Sequence, residues 1–152
     1  MLIQSTRFGQ LEVSEDAILQ FSNGLPGFSE EKSFAFLPYQ PDSPFAFLQS
    51  VCEPDLTFMV VEPFTFFKDY DFEVDDEIAE QLGLSLENLP QIFNMISLRE
   101  KVEDMTTNLM APILINWRER KAMQLILEKT SYTIRHRLFP NGLPISADKG
   151  GE

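Results

Sequence analysis

Apolar residues along this chain recur mostly at every second position in short runs, the period of a strand with one buried face, and Pro, Asp, Ser or Gly closes each run. "GQLEVSEDAILQF" alternates Leu11 and Val13, then Ile18 and Phe21, around "SED", which predicts two strands joined by a turn. "SFAFLPY", "PFAFLQSV" and "LTFMVVEP" continue the pattern. "QIFNMISL", "TTNLMAPILINW", "AMQLILE" and "SYTIRHRLF" predict four more strands, with "RERK" as a charged turn between two of them. One stretch changes period: "DDEIAEQLG" sets Ile78 and Leu82 four apart, opens with carboxylates suited to the positive end of a helix dipole, and closes on Gly83 as a C-cap. That predicts one short helix, with a second helical turn at "SLENL" stopped by Pro90.

Turn chemistry bears on function at "FSNGLPGF", residues 21–28. A phosphate-cradling loop needs backbone N–H groups converging on a helix N-terminus, usually with a Lys, and here no helical pattern follows and no Lys or Arg occurs from Phe21 until Lys32. Its "GLPG" has the form of a GxxG RNA-clamping loop without the basic residues such loops carry. Asn-Gly and Pro-Gly instead supply two chain reversals, with Phe21 and Phe28 pinning the loop to the core.

Length and charge narrow the classes. A chain of 152 residues with 43% hydrophobic content suits one domain, with "PNGLPISADKGGE" (residues 140–152) as a flexible tail. No signal peptide and no run of about eighteen apolar residues occurs, which predicts a cytoplasmic protein without a membrane anchor. The net charge is −12, and residues 1–98 carry 3 Lys/Arg against 17 Asp/Glu while residues 99–152 carry 9 against 7. So acidic a surface repels nucleic acid and favours a basic partner. A solvated acidic surface that keeps the protein dispersed is the plainer account.

Candidate chemistry is sparse, and no cofactor is expected. The one cysteine, Cys52, sits beside two acids that raise a thiol pKa, and the one histidine, His136, lies between Arg135 and Arg137, which disfavour its protonated form. The acidic run "DYDFEVDDEIAE" has acids at positions 1, 3, 5, 7, 9 and 12 of a calcium loop, but Val74 stands where that loop needs Gly. A strand fits better, with Tyr70, Phe72 and Val74 inward and Asp69, Asp71 and Glu73 outward. In "NLMAPILIN", Pro112 predicts an edge strand or a bulge. Asn108, Pro112 and Asn116 then read either as structural positions beside core Leu109, Ile113 and Ile115 or as an edge open to a partner.

Taken in order, "FSNGLPGF", "FAFLQSV", "VVEPFTFFKDYDFE" and "TTNLMAPILINWRERKAMQLIL" resemble the flagellar assembly factor FliW family over residues 3–138. The resemblance implies a mainly β, single-domain, antiparallel β-barrel-like fold over residues 1–139 and a non-enzymatic cytoplasmic protein. It also implies two partners: flagellin, and the RNA-binding translational regulator CsrA, whose repression of flagellin translation the free protein relieves. The charge pattern meets that expectation in a CsrA-facing edge of Glu15, Asp16, Asp69, Asp71, Glu73, Asp75 and Asp76, with Asn108, Pro112 and Asn116 as a flagellin candidate. An acidic nucleic-acid mimic or another protein-interaction module remains the alternative, ahead of a carboxylate-based hydrolase.

Overall fold

In the computed structural model, which describes residues 1–141, the short apolar runs become strands that close on themselves. β1 (Leu2–Ser5) and β2 (Gly9–Glu12) form an antiparallel hairpin of their own. The "SED" turn is a 3-10 turn, Glu15–Ala17, capped by Ser14, and it hands the chain to β3 (Ile18–Phe21). β4 (Ser33–Pro38), β5 (Phe45–Ser50), β6 (Thr57–Val61) and β7 (Gln91–Ser97) follow as an antiparallel meander. After the two-residue β8 (Thr106–Thr107), β9 (Ile113–Asn116) pairs with β7, β10 (Lys121–Gln124) pairs with β9, and β10 pairs with β3. The ring therefore contains seven strands: β3, β4, β5, β6, β7, β9 and β10.

An odd number of strands cannot close with every neighbour antiparallel, because strand directions that alternate around a ring must meet in one parallel pair. That pair is β10 with β3, held at Lys121–Gln20 and Ala122–Phe21. Alternation then sorts the side chains. Leu19, Phe21, Phe34, Leu48, Val60, Phe93, Ile113 and Ile115 fill the barrel interior, whereas Ile92 and Leu114 point outward into a second cluster with Tyr70, Leu82 and Leu109. Every residue of β9 is buried, as the apolar run Ile113–Ile115 leads one to expect, and Asn116 is buried with them.

The expected strand over "TTNLMAPILINW" runs along β7 for its whole length, but its register slips by three residues between Thr107 opposite Ile96 and Ile113 opposite Phe93. Pro112 sits in this bulge, where its missing N–H costs no ladder bond. β9 is flanked by β7 and β10, so the segment is not an edge strand. Three other expectations change. Residues 69–74 keep the predicted in–out alternation but pair with no strand. "SYTIRHRLF" contributes only β11 (His136–Arg137), against β8. "SLENL" is a tight turn bridging Ser85 and Asn88, so α1 (Asp76–Leu82) is the single α-helix among the described residues. No helix there is long and apolar enough to cross a membrane. The tail expected over 140–152 lies, from residue 142 onward, outside the described residues.

"FSNGLPGF" is a double reversal. Gly24 and Gly27 have φ of 65° and 83°, and Leu25 and Phe28 exchange backbone hydrogen bonds. Phe21 is fully buried, but Phe28 is 41% exposed and only rests its ring edge-on against Phe58. A methyl group at Gly24 would meet the carbonyl oxygens of Ser29 and Phe28 at 2.6 and 2.7 Å, whereas one at Gly27 meets open space. Gly27→Ala is therefore expected to cost about 1–2 kcal/mol from its left-handed backbone alone. Gly24→Ala carries that strain plus a backbone clash and should lose clearly more in urea unfolding; equal losses would show that the turn relaxes freely.

Candidate functional site

The 69–76 segment lies across the outer face of β7, β9 and β10, held there by one tyrosine. Tyr70 is 5% exposed; its hydroxyl donates to the Leu109 carbonyl at 2.6 Å and accepts from Asn94 Nδ2 at 3.2 Å. The bulge at 108–112 frees that carbonyl from the β7 ladder, so the same irregularity that admits Pro112 creates the acceptor that holds Tyr70. Burial pushes the phenol up to about 12, outweighing the Asn94 hydrogen bond that favours ionisation, and it stays a neutral donor. The Tyr132 ring packs edge-on against Tyr70 at 4.8 Å, and its hydroxyl accepts from the Asp71 N–H at 3.0 Å.

Anchored at Tyr70, the extended segment presents Asp69, Asp71 and Glu73 to solvent and tucks Phe72 and Val74 under it. Asp75 is the N-cap of α1, its Oδ1 accepting from the Ile78 N–H at 2.9 Å, with Asp76 in the first turn. The carboxylates thus follow one line rather than converging, and among the described residues no three Asp, Glu, His or Cys side chains gather as metal ligands. A groove of about 560 Å³ separates this line from residues 125–130, with Asp71, Glu73, Asp75 and Glu128 on its walls and Phe72 and Ile126 among its apolar surface. A second hollow of about 430 Å³, lined by Phe64, Phe72, Val74 and Leu89, lies on the other side of the segment.

The other candidates fall elsewhere. Glu15 and Asp16 sit at the opposite end of β10 from the groove, on the order of 20 Å away at about 3.3 Å per residue. Arg120 binds there to the Glu15 carbonyl and to the Asp16 carboxylate, each at 3.2 Å. The structure does not join these two to the acidic line. Asn116 is fully buried: its Nδ2 donates to the Leu82 carbonyl at 2.7 Å, closing the C-terminus of α1, and its Oδ1 accepts from Asn88 and Glu119. Asn108 caps the bulge by accepting from the Met110 N–H at 3.0 Å, and Pro112 is buried. All three do structural work, and Asn116 and Pro112 present no surface to a partner.

His136 lies half-buried between the Phe67 and Tyr132 rings. Its Nε2 accepts from the Thr133 N–H at 2.9 Å, and burial lowers its pKa, a cause distinct from the flanking arginines. Sequence reasoning missed this contact to Tyr132, and with it the link from His136 to the backbone of Asp71. The strand expected over "AMQLILE" is a paired strand only as far as Gln124; residues 125–128 continue it with hydrogen bonds to the bulge alone, and their place as the far wall of the groove is what sequence reasoning missed.

Two outcomes follow from these anchors. Tyr70→Phe leaves the Leu109 carbonyl buried without its donor and should cost about 1–3 kcal/mol in denaturant unfolding, while Asp71→Asn, on the exposed face, should stay within about 0.5 kcal/mol. For His136, the native state resists protonation more than the unfolded chain, so below about pH 6.5 the unfolded state binds more protons. This contribution is intact above that pH and is lost as pH falls below it. The stability slope between pH 7 and 5.5 should flatten in His136→Phe; an unchanged slope would assign it to other groups.

Comparison with known proteins places these features in context. The family model described as FliW protein matches residues 2–138. The chain is similar to proteins named flagellar assembly factor FliW from Desulfitobacterium hafniense (strain DSM 10664 / DCB-2), at 51% identity over all of both chains, and from Bacillus subtilis (strain 168), at 41% identity over 90% of this chain and 95% of that one. A crystal structure of the flagellar assembly factor FliW superposes with a TM-score of 0.83 and 39% identity, covering 94% of this chain and all of the other. With its seven-stranded barrel, its single short α-helix among the described residues and its match along nearly the whole described length, the chain belongs to the FliW family.

Proposed function

We propose that this protein is a cytoplasmic, non-enzymatic binding protein that holds flagellin and, when free of it, binds the RNA-binding regulator CsrA and relieves repression of flagellin translation. The observation that carries the reading is the line of exposed carboxylates at Asp69, Asp71 and Glu73, extended by Asp75 and Asp76, in a chain that belongs to the FliW family. A protein that holds RNA carries positive charge, and a line of acids steers such a protein to its binding site and sets its orientation. Glu15 and Asp16 drop out of this surface because of their distance from it and their contacts with Arg120. The two partners draw on one pool of protein, so the free concentration of each limits the amount available to the other by mass action.

Asp71 is the residue on which to test this. Its side chain is exposed, and the hydrogen bond it gives Tyr132 comes from the backbone, which a substitution keeps. Asp75 is unsuited, since reversing its charge would also remove the α1 cap. In titration calorimetry, CsrA should bind the protein, saturating flagellin should suppress that heat, and Asp71→Lys should weaken CsrA binding roughly tenfold, about 1.4 kcal/mol, with a smaller salt dependence. Simultaneous binding of both partners would refute the switch, and unchanged affinity in Asp71→Lys would remove this segment from the CsrA contact.

A further inference from the structure

β10 enters the barrel between two strands and leaves it with only one. Up to Ala122 it lies between β9 and β3, but β3 ends at Phe21, where the Asn23–Gly27 reversal turns the chain away. On its β9 side β10 carries on: the Leu125 N–H donates to the Pro112 carbonyl and the Leu127 N–H to the Met110 carbonyl, each at 2.8 Å. In an extended strand, successive residues aim their N–H and C=O groups to opposite sides. Gln124, Ile126 and Glu128 therefore aim theirs away from β9, toward the side β3 has vacated. Among the described residues, the Ile126 and Glu128 N–H groups have no hydrogen-bond partner. The edge ends at Lys129, whose φ of 54° breaks the extended run.

An unpaired edge of this kind is ordinarily closed off by a bulge, a proline or a covering loop. Here it borders the groove already described, and on the opposite wall Phe72 and Glu73 make no backbone hydrogen bond among the described residues. Ile126 is 49% exposed in the groove. Among the described residues that line it, Asp71, Glu73, Asp75 and Glu128 stand against one cation, Lys129. Main-chain groups at strand spacing select an extended backbone, and the walls select its side chains: cationic ones toward the acids, apolar ones toward Phe72 and Ile126.

We propose that the Gln124–Glu128 edge receives an extended, lysine- or arginine-bearing segment of a basic partner protein as an added strand. This rests on the reading above only in taking the partner to be basic. It adds the mode of recognition: backbone pairing supplies a fixed register, and the carboxylate line reads the charge of the incoming strand. The edge is open because the glycine reversal ends β3 early, so the turn at residues 21–28 acts on recognition without touching the partner.

The test uses amide hydrogen exchange, followed by NMR on the full chain. In the free protein the Leu125 and Leu127 amides should exchange slowly and those of Ile126 and Glu128 fast; protection of all four would mean the edge is already covered and would overturn the proposal. A nine-residue peptide alternating Lys and Val, added at millimolar concentration, should slow Ile126 and Glu128 at least tenfold. The same peptide with alternate backbone nitrogens methylated keeps its charge but cannot pair fully, and it should give little protection. If both peptides act alike, or neither protects these amides, the proposal fails. Ile126→Pro removes the outward N–H while sparing the two bonds to the bulge, and it should weaken peptide binding at least tenfold with the Leu125 and Leu127 amides still slow. CsrA serves as a separate probe: peptide protection without CsrA binding would refute the CsrA reading alone, whereas CsrA binding without peptide protection would refute the added strand alone.

Discussion

Closure of an odd-numbered barrel is the constraint on which the rest of this structure depends. Seven strands force one parallel pair, and that seam between β3 and β10 is only two residue pairs long. Around it packs a core of Phe21, Phe34, Leu48, Val60, Ile113 and Ile115, whose removal from water contributes about 1.5–3 kcal/mol per large side chain. The brevity of the seam has a cost and a use. Beyond Ala122 one side of the chain loses its partner, and the unpaired edge lies beside the most acidic stretch of the surface.

A second layer depends on the first through the bulge at 108–112. The register slip there releases the Leu109 carbonyl from the β7 ladder, Tyr70 takes it up, and the chain from 69 to 76 is held flat against the outside of the barrel. Asn116 closes the layer from the other end by holding the last carbonyls of α1. Tyr132 ties the backbone of Asp71 to the aromatic group around His136, so the posture of the acidic line is coupled to a half-buried imidazole. The carboxylates themselves make few contacts, and their alignment comes from the buried residues between them.

Much of this was legible along the chain because it is local. Strand period, the carboxylate-to-glycine frame of α1, the double reversal at 21–28 and the alternation of Tyr70, Phe72 and Val74 against Asp69, Asp71 and Glu73 all follow from neighbours a few residues apart. The errors arise where a partner strand decides. Residues 69–74 alternate as a strand would, yet the barrel closes without them. β9 carries a proline signal that suits an edge as well as a bulge, and only its pairing with both β7 and β10 selects the bulge. Asn108 and Asn116 looked equally fit for surface or interior, because an amide can bind a partner or a stranded carbonyl, and distant backbone at Leu82 and in the bulge settles which.

The sequence by itself determined the class of fold, the place of the helix, the turns and the sign of the surface, since each rests on short-range sterics, periodicity or net charge. It also determined the family, because the order of several weak strand and turn signatures is specific where each alone is not. Tertiary structure alone decided which strands are neighbours, where the parallel seam falls, which carboxylates share a surface and which backbone groups are left without a partner. Those are properties of pairing between segments up to about a hundred residues apart, such as Gln20 with Lys121. No local pattern encodes them, because a strand exposes the same polar backbone to either side until its neighbours are chosen.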